Sequence, residues 1–215
     1  MNQLYKRIKE LENNIFKKNT FLVTEIKNNI FYFNEKNNVK YEINITNESI
    51  AIFNIENKGK NKKIKFKDIV IPNCSDVIFI SKNNNDNCYK LDILEIKSSI
   101  NNDIIDKLSN QLIGGYLRVM SILASLHLNI NEINFYVALY RDKKTNNELY
   151  KNEKLNNTKI RERFHTLSRW EENKLFIDIN IPNSFFNRNY IDINKLIYDN
   201  YHNNNNSATI TFPKK

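Results

Sequence analysis

The sequence predicts an α/β (α+β) chain, a mixed β-sheet flanked by helices with a β-rich N-terminal part. Three observations predict it. Residues 3–18 and Asn102–His127 place apolar side chains at every third or fourth position, as amphipathic helices do. Residues 20–81 instead break into short β-type runs between Asn- and Lys-rich turns. From 76 to 140 the order is strand, hairpin, strand, long helix, strand, which suits a sheet covered by a helix.

Taken in order, the first helix carries Leu4, Ile8, Leu11 and Ile15 on one face. The β-type runs are Phe21–Val23, Ile30–Phe33, Val39–Ile43, Ile50–Phe53 and Ile64–Phe66. Two further strands, Asp76–Ile80 and Tyr89–Lys97, flank a polar loop from Lys82 to Cys88 that suits a hairpin. The long helix has the stripe Ile105, Leu108, Leu112, Tyr116, Val119, Leu123 and Leu126. Gly114 and Gly115 lie inside it, at about 1 kcal/mol each, which close packing against the sheet explains. A strand follows over Ile133–Tyr140, and then a polar stretch over 142–160. Arg161–Trp170 reads as a basic-aromatic helix, Leu175–Ile181 as a strand and Ile191–Tyr198 as a short helix. The last dozen residues are expected to be loosely held.

Composition bounds the function. The chain has 215 residues, is 40% hydrophobic, and carries 33 basic against 24 acidic residues for a net charge of +9. It is globular in composition and long enough for a real core. No apolar run approaches a bilayer-spanning length, so no membrane partner is expected. The start, Met1-Asn2-Gln3-Leu4-Tyr5-Lys6, has no apolar signal core, so the expected location is cytoplasmic. Cys74 and Cys88 make no disulfide framework, and His127, His165 and His202 are too scattered for a His-based metal site. The basic balance favours a polyanion partner. Asn makes up 41 residues and only seven of the basic residues are Arg, so A/T-rich coding accounts for part of the lysine excess.

The candidate chemistry-bearing residues sit on the two strands Asp76–Ile80 and Tyr89–Lys97. Glu95 and Lys97, two apart on one strand, share a face. Asp76 opens the preceding strand, and hairpin pairing brings it toward Glu95. Two carboxylates about 4 Å apart repel by roughly 4 kcal/mol at an effective dielectric of 20. Such a pair calls for a proton or a hard divalent cation, Mg²⁺ or Mn²⁺. The triplet acid-x-Lys occurs five times here against about three expected by chance, so it says little alone. Only Glu95-Ile96-Lys97 ends a long apolar strand, follows an Asp-led strand and precedes a long helix. The plainer readings are a turn acid for Asp76 and a surface ion pair for Glu95 and Lys97. Asp92 faces the other way and is left out.

With Cys74-Ser75-Asp76-Val77-Ile78-Phe79-Ile80, nineteen residues from Asp76 to Glu95, and Glu95-Ile96-Lys97-Ser98-Ser99, the chain resembles the PD-(D/E)xK nuclease superfamily. Ser75 stands where the motif name has Pro, and Pro72 lies three residues earlier. The resemblance implies a restriction-endonuclease-like core over about residues 68–140. Around it lie the N-terminal helix and β-rich part (1–67) and a C-terminal extension (141–215), all in a single domain. It implies Asp76 and Glu95 as metal ligands with the Ile96 carbonyl, Lys97 as the catalytic lysine, and Gln111 as a helix-borne glutamine. A solvated Gln111 explains that residue equally well. A further acid would be Glu10 or Glu12, between which the sequence does not choose. The implied function is Mg²⁺- or Mn²⁺-dependent hydrolysis of phosphodiester bonds, in DNA more than RNA, in restriction, defence or DNA processing. Cutting both duplex strands favours a homodimer or a partner protein. The alternative is a non-catalytic nucleic-acid-binding or assembly subunit that keeps the scaffold. Candidate nucleic-acid contacts are Lys60, Lys62, Lys63 and Lys65 in a basic run, and Arg161, Arg163 and His165; a solvated hairpin and a core-facing helix explain them as well.

Overall fold

Helix α1 (Asn2–Asn14) forms where the N-terminal stripe predicts, with Leu4 and Ile8 buried and Leu11 packed against the same core. The computed structural model describes residues 1–14, 21–34, 39–53, 74–83, 88–98, 100, 102–140, 168–177, 190–198 and 207–213. The expected strand Ile64–Phe66, the end of the first helix from 15 to 18, the polar stretch from 142 and most of the basic-aromatic segment lie outside them. So do residues 178–181 of the expected strand Leu175–Ile181.

The strands are β1 (Leu22–Glu25), β2 (Ile30–Asn34), β3 (Lys40–Asn44), β4 (Ser49–Phe53), β5 (Val77–Lys82), β6 (Tyr89–Lys97), β7 (Ile130–Tyr140), β8 (Lys174–Phe176), β9 (Tyr190–Tyr198) and β10 (Ser207–Thr211), with α2 (Asn102–Ala124) between β6 and β7. They make a mixed sheet of seven strands in the order β1-β4-β5-β6-β7-β9-β8, and a smaller sheet ordered β10-β3-β2. The chain passes from β1 to β2 through Asn28 and Asn29, both left-handed at φ 59° and 58°, a conformation asparagine tolerates better than most residues. β4, β5 and β6 pair antiparallel, whereas β6 and β7 are parallel and need the crossover that α2 provides.

β6 is the middle strand, and it is covered on both faces. Ile50, Ile52, Ile78, Ile80, Leu91 and Ile93 meet α1 and α2 through Ile8, Leu108, Leu112 and Val119. Ala51, Val77, Phe79, Leu94 and Ile96 meet the small sheet through Phe31, Tyr41, Ile43, Ile210 and Phe212. Burial on both sides explains why β5 and β6 read as near-continuous apolar runs. The chain is therefore mixed α/β, with helices on one face of the large sheet and the small sheet on the other. No helix among the described residues is long and apolar enough to cross a membrane.

Two expectations are corrected. Ile191–Tyr198 is not a helix but lies within β9, parallel to β7 from Phe135↔Ile193 to Tyr140↔Tyr198. Ile191 and Ile193 face the helices, while Leu196 and Tyr198 face the small sheet. A β-branched, two-sided strand of this kind satisfies both cores, and a one-faced helix would not. The last dozen residues are not all loose, because β10 pairs parallel with β3 and buries Ala208, Ile210 and Phe212. Phe212 then packs edge-on against Phe79, with ring centroids 5.5 Å apart.

Candidate functional site

Antiparallel pairing of β5 with β6 places Val77 opposite Leu94, so Asp76, one residue before, falls opposite Glu95. The backbone interlocks the two. The Asp76 amide donates to Glu95 Oε2 at 3.2 Å, and the Ile96 amide donates to Asp76 Oδ2 at 2.8 Å. Lys97, two residues on and on the same face, bonds Glu95 Oε1 through its ammonium. The structure therefore joins Asp76, Glu95 and Lys97 into one cluster at the end of β6, on the face covered by α2.

Its electrostatics are lopsided. Glu95 is 1% exposed, Asp76 is partly buried, and the Lys97 side chain keeps 21% of its surface. Burial first, and the neighbouring Asp76 carboxyl second, push Glu95 up to about 8; Lys97 works against both. Near neutral pH the cluster thus holds a proton that a divalent cation would displace. Two carboxyl groups and a nearby carbonyl are hard oxygen donors of the kind Mg²⁺ and Mn²⁺ take, so the residues present fit such an ion. Ile96 carries that carbonyl; in an antiparallel ladder it leaves the strand on the same side as the amide that reaches Asp76.

Helix α2 presses on the strand opening. A Cβ at Gly115 would lie 2.0 Å from Ser75 Oγ, 3.0 Å from Ser75 Cβ and 3.3 Å from its nitrogen. Glycine is what lets the helix rest on the residue before Asp76, an approach more specific than general packing against the sheet. Ser75 Oγ is buried there without a hydrogen-bond partner. Gln111 lies one turn before Gly115 on the same side of α2 and is partly buried. Among the described residues no hydrogen bond joins it to the carboxyl pair.

Of the two candidate acids on α1, Glu10 is exposed and Glu12 is 4% exposed, paired with Lys9 at 2.6 Å. The signal was available, since Leu4, Ile8 and Glu12 fall on one line at intervals of four. Among the described residues no group of three or more His, Cys, Asp or Glu lies close enough to hold a metal, so Glu12 does not join the pair. Asp92 lies on the opposite face, as its spacing predicts, bonded to Lys90 at 3.0 Å and Asn134 at 2.9 Å. Lys60, Lys62, Lys63, Lys65, Arg161, Arg163 and His165 lie outside the described residues. Arg169, which the sequence offers within the basic-aromatic segment together with Trp170, meets Lys174, Phe176 and Tyr190 at the β8 edge, a grouping the sequence does not reveal. No protein-family model, curated protein or solved structure matches this chain.

Proposed function

We propose that the protein is a metal-dependent nuclease of PD-(D/E)xK type that hydrolyses phosphodiester bonds, with DNA the favoured substrate. The observation that carries this reading is the meeting of Asp76, Glu95 and Lys97 in one cluster whose inner carboxyl is almost wholly buried. The order of elements supports it. β4, β5 and β6 form three antiparallel strands, Asp76 opens the second, Glu95 and Lys97 end the third, and α2 and the parallel β7 follow. That order supports reading the sheet as a restriction-endonuclease-like core.

Asp76 and Glu95, with the Ile96 carbonyl, would hold Mg²⁺ or Mn²⁺. When bound, the ion supplies Lewis-acid polarisation of the phosphate and lowers the pKa of water. Lys97, still partly exposed beside Glu95, orients the attacking water and offsets negative charge developing on the phosphate. Gln111, one turn before Gly115 on α2, would help orient the same water. The interlocked Asp76 and Ile96 backbone bonds fix both carboxyl groups before substrate arrives, so little reorganisation remains at the moment of reaction.

The test is incubation of purified protein with plasmid, single-stranded DNA and RNA, with and without Mn²⁺. Cleavage should require the metal and vanish in Asp76→Ala and Lys97→Ala, with circular dichroism unchanged. Cutting that resists EDTA, or that survives Lys97→Ala, refutes the proposal. Salt-dependent binding without turnover would instead assign the protein as a non-catalytic nucleic-acid-binding subunit.

A further inference from the structure

At the other side of α2 lies a cavity of about 170 Å³ that the carboxyl cluster does not use. Its walls are the first turns of α2, with Asp106 and Ser109, and the edge strand β8, with Lys174, Phe176 and the following Ile177. Arg169 enters from the short helical turn at 168–171, with its guanidinium carbon 5.2 Å from the Phe176 ring centroid and 5.7 Å from that of Tyr190. Lys174 Nζ lies 5.3 Å from the Tyr190 centroid. Phe176 remains 46% exposed although it is a large aromatic side chain.

We infer that this cavity receives one unpaired nucleobase of the strand held for cleavage. The inference deepens the nuclease reading and rests on it for the substrate class. Size bounds the ligand, because about 170 Å³ admits a single ring system and excludes a helix or a base pair. Chemistry agrees. Arginine guanidinium planes and aromatic rings are the surfaces on which unpaired bases stack. The Asp106 carboxylate accepts from the exocyclic amino groups that adenine, cytosine and guanine carry. Arg169 and Lys174 flank the opening, where the backbone phosphate of such a nucleotide would pass.

Position agrees as well. Ser109 in the cavity wall and Gly115 on Ser75 are six residues apart on α2, about 9 Å of helix. Across the sheet, β6 and β8 are separated by β7 and β9, three strand spacings or about 14 Å. The two run roughly at right angles and combine to about 17 Å, which at about 3.4 Å per stacked nucleotide is about five nucleotides. A strand whose phosphate lies at Asp76 and Glu95 therefore reaches the cavity with a base about five nucleotides along, not with the adjoining one.

The test measures affinity, in EDTA so that cleavage does not intervene. Fluorescence anisotropy with a short single-stranded DNA should show Phe176→Ala and Arg169→Ala weakening binding about tenfold, as loss of a stacking platform does. Phe176→Tyr should restore it, and binding of the matching duplex should change far less. An abasic scan of the oligonucleotide should find one position whose base matters to the wild type and no longer matters in Phe176→Ala. Wild-type affinity in Phe176→Ala, equal losses on single strand and duplex, or no single-strand binding at all overturns the inference. Mn²⁺-dependent cleavage is read separately: its persistence beside a negative scan leaves the nuclease reading intact, and its absence beside a positive scan refutes that reading alone.

Discussion

Replacing Glu95 by Gln should stabilise the metal-free protein, and by an amount that grows with pH. Glu95 is held near 8 in the fold, against about 4.5 for the same group in the unfolded chain. Below about pH 4.5 it is protonated in both states and carries no penalty. As pH rises the unfolded chain ionises first, so this contribution to stability is lost progressively until the folded group ionises near 8. The penalty is about 3 kcal/mol at about pH 7 and about 5 kcal/mol above about pH 9, at about 1.4 kcal/mol per tenfold ratio. Gln removes that penalty while its carbonyl keeps the bond from the Asp76 amide. Gln has one acceptor oxygen where Glu95 uses two, so the bond from Lys97 is lost, about 1–2 kcal/mol. The expected net gain is about 2 kcal/mol at about pH 7.5, or roughly 4–8 °C in Tm for a chain of this size, shrinking to nothing or reversing near pH 5. Thermal melts in EDTA across that range measure it. A Glu95→Gln protein that is less stable by the same margin at every pH would refute the reasoning. Adding Mn²⁺ should reverse the order, since only the wild type gains from binding; about 2.7 kcal/mol is expected at a hundredfold excess over Kd.

Other consequences follow from the same contacts. Asp92→Asn, on the same strand but the opposite face, should leave Mn²⁺ stabilisation and cleavage unchanged; isothermal titration of both variants separates the two acids. Gly115→Ala drives a methyl group into Ser75 and should cost about 1–3 kcal/mol by overpacking, with cleavage reduced more than Tm predicts because Asp76 is displaced. Ser75→Ala should relieve part of that loss and, alone, raise urea stability by about 1 kcal/mol by removing an unpaired buried hydroxyl. Lys195 lies 4.0 Å from the Trp170 ring centroid, and burial pulls its ammonium down to about 8, against Glu171. Since Trp170 is the chain's single tryptophan, its fluorescence should titrate with a midpoint near 8, and the transition should vanish in Lys195→Met. Truncation after residue 206 removes β10 and uncovers Phe79 and Tyr136. Burying Ile210 and Phe212 is worth about 1.5–3 kcal/mol each, so circular dichroism should show marked destabilisation.

The central strands were legible because each carries its own signal. β5 and β6 are long apolar runs joined by a polar loop, and antiparallel register alone brings Asp76 to Glu95. β9 was not legible as a strand because Ile191, Ile193, Leu196 and Ile197 fit either period over so short a stretch. What decides it is pairing with β7, a partner far away in sequence. β10 was hidden for the same reason: a short alternation after an Asn run acquires meaning only beside β3. In the site, spacing could place Gln111 on a helix, but nothing local says that Gly115 rests on Ser75. That contact exists only once α2 crosses the sheet.

Two buried acids three residues apart on β6 differ in how the cost of their burial is answered. Both are pushed upward by burial. Asp92 is answered by Lys90 and by the amide of Asn134, its register partner on β7, while Glu132, part of the same cross-strand group, adds a smaller opposing push. A structural acid is expected to look like that, with its desolvation offset by partners on its own face. Glu95 has Lys97, but its other neighbour is a second carboxyl, and the backbone is bonded so as to hold the two together rather than let them part. Folding alone gains nothing from that arrangement, since any neutral side chain of similar shape would fill the place at lower cost. A destabilised pair kept rigid is what a cation site requires before its ion arrives. The conflict at Glu95, beside its resolution at Asp92, is the physical ground on which the proposed chemistry is assigned to one face of β6 and not the other.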